Sequence, residues 1–160
     1  MRRQDRLLSE DDCRKILPHV EHAVLATVDP SGAAYGVPVT PFELDGVFYF
    51  HGASTGRKAD NLAANPSATL TWIAMGTVLP EAYSVDFVSV IASGRVVRVE
   101  DPEEQKKAFR ALCARFAPHP IEAVDAYIEG SAAEAGLWKL VPEKISGKAR
   151  RRELLKAFEG

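Results

Sequence analysis

Hydrophobic runs of strand length, separated by turn-forming residues, fill the first two-thirds of the chain. The run at 23–28 (AVLATV) ends at the turn Asp29-Pro30-Ser31-Gly32, and the run at 47–50 (VFYF) follows Asp45-Gly46. Runs of this kind predict β-strands. Similar patterns predict strands at 34–44, 67–74, 85–99 (bent at Ser93-Gly94) and 137–141. The first three strands follow one another through short turns, which predicts an antiparallel meander.

Hydrophobic residues at helical spacing occur between and after these strands. Ser9-Glu10-Asp11-Asp12 predicts a helix cap, and a helix from Arg57 should end before Asn65-Pro66. Further helices are predicted from Asp101-Pro102 to Phe116, from just after Pro118 and Pro120 through Tyr127, and at 152–158. Residues 75–84 predict a loop. Five or six mainly antiparallel strands with flanking helices predict an α+β fold built on a closed or partly open barrel.

Two prolines interrupt the predicted strand at 34–44. Pro38 and Pro41 have no N–H group to donate to a neighbouring strand. This strand should therefore be an edge strand, contain a bulge, or face a ligand on one side.

The segment 47–62 (VFYFHGASTGRKADNL) carries the clearest candidate chemistry. Its strand is predicted to end at a small polar loop with Gly52, Ser54, Thr55 and Gly56, and a helix should begin at Arg57-Lys58. A helix start offers unpaired N–H donors, and the two cations add charge, so the segment predicts a phosphate-binding site. Alternatively, Ser54 or Thr55 simply caps the helix. The spacing of the glycines differs from that of a Walker A motif.

The composition of the chain excludes some classes of partner and site but does not indicate a function. The 160 residues have a net charge of −2, which favours neither nucleic acid nor an acidic membrane as a partner. The two cysteines, Cys13 and Cys113, fall in amphipathic helical patterns and predict buried thiols in a reducing compartment. We find no metal-ligand spacing, signal-peptide run or membrane span. These observations predict a single cytoplasmic domain over residues 1–160.

Several motifs, taken together and in order, are similar to those of a known superfamily. The most specific is FYFHGASxGRKxxNL, from Phe48 to Leu62, followed by Asn65-Pro66. The others are the start Met1–Arg6, Gly36–Val39, Ser93–Val96 before Asp101–Glu104, and Ile145–Ala149. With these motifs the chain resembles the flavin-binding split-barrel superfamily that includes pyridoxamine 5′-phosphate oxidase, and especially its nitroimidazole-resistance-like branch. It lacks the late Trp and Arg substrate motif of the oxidase itself.

The resemblance implies a six-stranded antiparallel split β-barrel that forms a homodimer, with flavin mononucleotide (FMN) between the subunits. Carried over by residue, Ser54, Thr55, Gly56, Arg57 and Lys58 would hold the flavin phosphate. The backbone of Val37, Pro38, Val39 and Thr40 would face the isoalloxazine edge. His51, at the end of the preceding strand, would lie near the flavin as a candidate catalytic residue. Trp72 or Phe87 is expected in the dimer interface.

The function implied by this resemblance is an FMN-dependent oxidoreductase that reduces nitro-aromatic or other small planar substrates. NAD(P)H would be a transient electron donor, because the chain has no GxGxxG dinucleotide motif. The alternative is a non-catalytic protein that binds flavin, deazaflavin or haem. A third interpretation is a structural dimer with an empty groove.

Overall fold

The computed structural model describes residues 3–118, 120–130 and 135–159. Met1 and Arg2 of the N-terminal motif lie outside the described residues, as does His119. The strands are β1 (Leu7–Leu8), β2 (Ala23–Val28), β3 (Ala34–Val39), β4 (Phe42–Leu44), β5 (Val47–Ala53), β6 (Ser67–Leu79), β7 (Ser84–Arg98) and β8 (Ala135–Ala149). The α-helices are α1 (Glu10–Ile16), α2 (Arg57–Ala64), α3 (Pro102–Phe116) and α4 (Ile121–Gly130). Short 3₁₀ segments lie at Gln4–Arg6, Leu17–His19, Pro80–Ala82 and Arg152–Phe158.

All strands belong to one antiparallel sheet in the order β3-β2-β6-β7-β8-β5-β4, with β1 paired to β8. The two ends of this order, β3 and β4, are joined by only Thr40 and Pro41. Three Cα steps span at most about 11 Å, so the sheet must curve until its two ends lie close together. This connection explains the barrel shape, because the backbone closes the gap between the two end strands.

Two groups of buried side chains stabilise the fold, one on each face of β5. Phe48 and Phe50 point into the barrel with Leu70, Trp72 and Val90, which are all almost fully buried. Tyr49 points the other way and packs beneath α3 with Phe42, Val99, Ala108, Phe109 and Leu137. Because both faces are covered, the VFYF run is apolar at successive positions rather than at alternate ones.

The predicted fold class, an antiparallel split barrel with flanking helices, is confirmed, but the described residues form eight strands rather than six. The two additional strands, β1 and β4, are only two and three residues long. The predicted strand 34–44 is broken at Thr40-Pro41, where proline cannot continue the ladder. The predicted meander is therefore wrong after β3, since β5 pairs with β4 and β8 at the opposite end of the order.

The predicted loop at 75–84 is also wrong. The strand β6 continues to Leu79, and β7 begins at Ser84, so the two form a long hairpin. The predicted bend in β7 is present, because the pairing with β8 shifts register between Ser93 and Gly94. A side chain at Gly94 would lie 2.0 Å from the carbonyl oxygen of Val141, so only glycine permits this close approach.

Burial changes the expectation for Trp72, and charge pairing fixes the basic C-terminal tail, residues 148–152. Trp72 is 2% exposed and packs against Phe48, so it belongs to the core and has almost no surface to offer a partner. The basic tail contacts its own chain, since Arg150 and Arg151 both bind the carboxylate of Asp86. Arg152 lies 3.4 Å from Asp12 of α1. The tail therefore anchors the end of β8 to β7 and α1.

Candidate functional site

A groove of about 440 Å³ lies between the edge strand β3, the end of β5 and the start of α2. This volume is within the range of small-molecule and cofactor sites. Its lining residues are Tyr35, Val37, Pro38, Val39, Thr40, His51, Gly52, Ala53, Thr55, Gly56, Arg57 and Lys58. The structure thus brings together nine of the ten residues that the sequence analysis assigned to cofactor binding.

The start of α2 has the features of an anion-binding site. Gly56 is the N-cap residue, with a φ of 94° and a ψ of 179° that are essentially restricted to glycine. No side chain caps this helix, so neither Ser54 nor Thr55 plays the alternative capping role. The N–H groups of the first turn carry partial positive charge and remain available to a bound anion.

Arg57 is held at the outer rim of the groove. Its guanidinium lies 4.6 Å from the centre of the Tyr35 ring and 3.7 Å from the carboxylate of Asp29. The side chain is about half exposed, so the ion pair with Asp29 is screened by water and weak. Arg57 is therefore positioned near the helix start but is free to exchange Asp29 for a more strongly charged ligand.

Lys58 points inward from the same turn. Its Nζ lies 4.1 Å from the centre of the Trp138 ring, and burial lowers the pKa of the ammonium group. A Cβ at position 52 would lie 2.5 Å from this Nζ, so Gly52 leaves the space that the ammonium occupies. The groove thus contains one exposed cation and one partly buried cation on adjacent residues.

His51 lies on the same face of β5 as Tyr49 and remains exposed to solvent at the groove. Its ring is 6.3 Å from that of Phe109 on α3, in an edge-to-face arrangement. The surrounding protein lowers the pKa of His51 mainly by desolvation, and the charge of Lys58 lowers it further. The imidazole is therefore mostly neutral at pH 7, and can donate or accept a hydrogen bond.

Ser54 is the predicted residue that does not line the groove. It faces a neighbouring cavity of about 170 Å³ with Ala59, Leu62, Ala63, Val96, Arg98 and Trp138. Sequence reasoning, in turn, missed Tyr35 and Asp29, which contact Arg57 across the sheet. Their pairing with α2 depends on the tertiary structure, and the sequence contains no local signal for it.

A buried hydrogen bond fixes the helix α2 to the sheet beside this site. The side-chain amide of Asn61 donates to Thr27 Oγ1 at 3.0 Å, and both residues are almost fully buried. The Thr27 hydroxyl donates to the carbonyl oxygen of Tyr35 on β3 at 3.4 Å. This chain of hydrogen bonds connects α2 to the groove wall. The sequence did contain one signal for this bond. Asn61 is a polar residue at an inward position of a short helix, beside the apolar Leu62.

Neither metal-binding groups nor membrane helices occur among residues 3–118, 120–130 and 135–159. The described His, Cys, Asp and Glu side chains form no group of three or more that could hold a metal ion. No helix in this part of the chain is long and apolar enough to cross a membrane.

A comparison with known families matches residues 9–149 to the family described as pyridoxamine 5′-phosphate oxidase. The chain belongs to this family. The match covers β2 to β8 and therefore every element that forms the groove. No curated protein matches the chain.

Solved structures of the same fold come from several bacteria. The conserved hypothetical protein Rv2991 from Mycobacterium tuberculosis is 19% identical, with a TM-score of 0.79 over 94% of this chain and 91% of that one. The FAD and haem binding protein from Mycobacterium smegmatis is 17% identical, with a TM-score of 0.76 over 97% and 80%. A proposed 5-nitroimidazole antibiotic resistance protein from Bacteroides thetaiotaomicron is 18% identical, with a TM-score of 0.70 over 89% and 87%. At these identities the similarity shows a shared fold.

Proposed function

We propose that the groove binds flavin mononucleotide and that the protein is an FMN-dependent oxidoreductase. The observation that carries this proposal is the position of an uncapped, cationic helix start beside the edge strand β3 in one groove. The N–H groups at the start of α2, with Thr55, Arg57 and Lys58, would hold the phosphate. The backbone of Val37 to Thr40 has a free edge on the groove side and would face the ring system.

The cofactor would supply the redox chemistry, and the protein would supply orientation, electrostatics and a dry pocket. Lys58 would provide a positive charge that burial makes more effective than a surface cation. His51 would hydrogen-bond a substrate or hold a proton near it, because it is exposed at the end of β5 where the groove opens.

A small planar substrate such as a nitro-aromatic compound suits this groove. Val37, Pro38, Val39 and Ala53 give the walls an apolar part, and the described lining residues include no Asp or Glu that would repel the partly negative oxygens of a nitro group. NAD(P)H would act as a transient electron donor. The similarity to the Bacteroides protein adds support through fold alone.

We also propose that the working form is a homodimer, since β3 leaves the groove open on its outward side. Exposed apolar side chains on the outward face of β2, β6 and β7, including Val24, Ile73 and Ile91, offer a surface for a second copy. Phe87 lies on the same outward face and is partly covered by Arg6, whose guanidinium is 5.8 Å from its ring.

The proposal is tested by titrating the purified protein with FMN and with riboflavin, and by recording the spectrum and mass of any molecule that co-purifies. FMN should bind far more tightly than riboflavin, which lacks the phosphate. Arg57→Ala with Lys58→Ala removes two charge-assisted contacts of roughly 1.5–3 kcal/mol each, so FMN affinity should fall about 10²–10⁴-fold. The matched control, Lys15→Ala with Lys156→Ala, removes the same charge from two exposed sites and should bind FMN normally. Unchanged FMN affinity in the first variant would place the phosphate site elsewhere.

A non-catalytic haem-binding or flavin-binding protein is the second candidate. The observation that favours haem is His51, whose lowered pKa keeps an exposed imidazole neutral and able to ligate iron. An intense Soret absorption that His51→Ala abolishes would support haem binding. A yellow flavin spectrum that NADH bleaches would support the enzyme instead.

A further inference from the structure

The β6–β7 hairpin extends beyond the rest of the sheet as a two-stranded ribbon. The strand β2 pairs with β6 only at Thr69–Thr71, and the pairing of β8 with β7 begins at Val88. The strand pairs of residues 76–87 are therefore with each other, from Gly76 opposite Phe87 to Leu79 opposite Ser84, and at the base of the ribbon the Phe87 carbonyl also accepts a hydrogen bond from the Arg150 N–H. An isolated two-stranded ribbon is only marginally stable in water, so this one gains from packing against something else.

One face of the ribbon is apolar and exposed. Val78 and Val85 lie directly opposite each other in the register and point outward, and Val78 is 68% exposed. The other face carries Asp86, which is buried by its contacts with Arg150 and Arg151. On the outward face Arg6 partly covers Phe87 at the base of the ribbon, whereas Val78 and Val85 remain exposed.

The tip of the ribbon displays an aromatic residue. Tyr83 is 99% exposed and has a φ of 46°, a left-handed conformation that residues with a bulky side chain rarely adopt. The preceding 3₁₀ segment, Pro80–Ala82, places it there. A tyrosine held in this way has a large apolar ring and a hydroxyl available to a partner.

The apolar face of the ribbon continues across the barrel as an outer strip. The strip consists of Tyr83, Val78, Val85, Ile73, Ile91 and Val24, all of them exposed. The register joins its members, because Val24 lies opposite Thr71 and Thr71 lies opposite Ile91. At the end farthest from Tyr83, Val24 lies opposite Pro38, which lines the cofactor groove. The strip therefore runs from the ribbon tip at one end to the groove at the other.

A two-fold dimer brings the two ends of such a strip together. In an isologous contact each copy presents the same surface to the other. If the two-fold axis passes near the middle of an elongated strip, the two strips run in opposite directions, so each end meets the opposite end of the partner's strip. Charge favours the same arrangement. Glu81 is the one charged residue in the sequence 76–85, and the described groove residues contain Arg57 and Lys58 but no carboxylate.

We propose that each copy of this chain inserts the tip of its ribbon into the mouth of the other copy's groove, where Tyr83 covers the bound flavin ring. This inference rests on the proposed function for the identity of the ligand, but the docking of the ribbon does not. Tyr83 would be a residue of the partner's site, and each groove would be complete only in the dimer.

Docking is tested by a cofactor-independent cross-link. Both native cysteines are buried, so a pair introduced by Tyr83→Cys and Pro38→Cys reacts selectively. Mild oxidation should give a covalent dimer on a non-reducing gel. The matched control, Tyr127→Cys with Pro38→Cys, uses an exposed tyrosine of α4 and should remain monomeric on the gel. Absence of the covalent dimer, or equal cross-linking of the control, overturns the inference, whether or not FMN binds.

The role of the ring is tested in the parent protein by flavin fluorescence and affinity. Tyr83→Ala should weaken FMN binding about two- to tenfold and increase the fluorescence of the bound flavin, since one aromatic stacking contact is lost. Tyr83→Phe should retain both properties, and Tyr127→Ala should behave as the parent does. If Tyr83→Ala changes neither affinity nor fluorescence in protein that binds FMN, the ring does not cover the flavin. If the parent binds no flavin, the proposed function fails while the cross-link still reports on docking.

Discussion

The ammonium group of Lys58 lies over the face of Trp138, 4.1 Å from the centre of its ring. This contact joins the start of α2 to β8, which is the strand that also pairs with β5. It places a cation in the groove while protein covers much of its surface, and burial lowers its pKa below the usual 10.5. Lys58 thus carries a desolvation cost that binding of an anion would offset.

We predict that Lys58→Met separates binding from stability. FMN affinity should fall roughly tenfold to 150-fold, because one charge-assisted contact of about 1.5–3 kcal/mol is lost. The melting temperature should stay the same or rise, since a partly buried charge is replaced by an apolar side chain of similar length. Calorimetry and fluorescence titration check the two effects, with Lys156→Met as the exposed control. A large loss of stability would show that the cation–π contact is structurally important.

The same charge should be visible in the titration of His51. Its pKa should lie below 6.5 and should rise in Lys58→Met, because the charge of Lys58 is the second cause of the shift after desolvation. The folded state then binds the proton less readily than the unfolded state. The free energy of unfolding should therefore decrease as the pH falls from 6.5 through the folded pKa. NMR of the imidazole signals checks this, and an identical His51 titration in parent and Lys58→Met would contradict it.

His51→Ala tests the catalytic assignment. The variant should keep FMN affinity within a few-fold and melt nearly as the parent does, since the side chain is exposed and its ring contact with Phe109 is edge-to-face. Turnover of a nitro-aromatic substrate should fall by about 10²–10⁴-fold, the usual effect of losing an acid–base group. Steady-state kinetics on the fully flavin-loaded protein give the answer, with the exposed His19, which contacts Phe158 away from the groove, changed to alanine as the control. Unchanged turnover would end the catalytic role.

The groove wall should depend on the bond between Asn61 and Thr27. Asn61→Leu leaves the Thr27 hydroxyl without its donor in a buried site and should cost about 1–3 kcal/mol. Adding Thr27→Val should recover part of this loss, because both polar groups are then gone. Urea unfolding of the parent, the two single variants and the double variant forms a double-mutant cycle. If the losses in the free energy of unfolding simply add, the two side chains are not energetically coupled and the prediction is wrong.

A second polar cluster supports β5 from outside the groove. Glu104 accepts hydrogen bonds from Lys139 at 2.6 Å and from the Tyr49 hydroxyl at 2.7 Å, and these contacts, the lysine first, lower its pKa below the usual 4.5. Its contribution should be fully present above pH 4.5 and be lost as the pH falls through the folded pKa. Glu104→Gln should cost about 1–3 kcal/mol at pH 7, and this cost should shrink as the pH falls below 4.5 through the lowered pKa of Glu104. Glu103→Gln is the control on the exposed neighbour, and a pH-independent difference would contradict the assignment.

The sequence was most informative where function depends on local structure. The segment 47–62 contains its strand, loop and helix in one stretch, so the glycine-containing loop and the cations at the helix start could be located without a tertiary structure, although Gly56 was not predicted as the N-cap. The prolines at 38 and 41 likewise favoured an edge strand, a bulge or a face open to a ligand, although the break at Thr40-Pro41 was not predicted. The pairing of β5 with β8 could not be predicted. It places His51 opposite Leu137, and the sequence around either residue does not indicate that they are paired.

The ribbon shows a different limit of sequence reasoning. Residues 75–84 have Gly76, Pro80 and no clean alternation, because an exposed ribbon has no buried face to impose a period of two. Its apolar outward side chains do not look like a core strand or like a polar loop. The segment is held together by the pairing of its own two strands, and only the three-dimensional structure shows this pairing.

The pairing of β5 with β8 has a consequence for how the molecule is made. The strand β5 carries His51 and leads into the loop before α2, but one of its two neighbours begins only at Ala135. During synthesis the loop and helix emerge about eighty residues before the strand that holds them in place. The edge of β5 is unpaired during that interval, so this apolar strand is where a nascent chain would first associate wrongly with another.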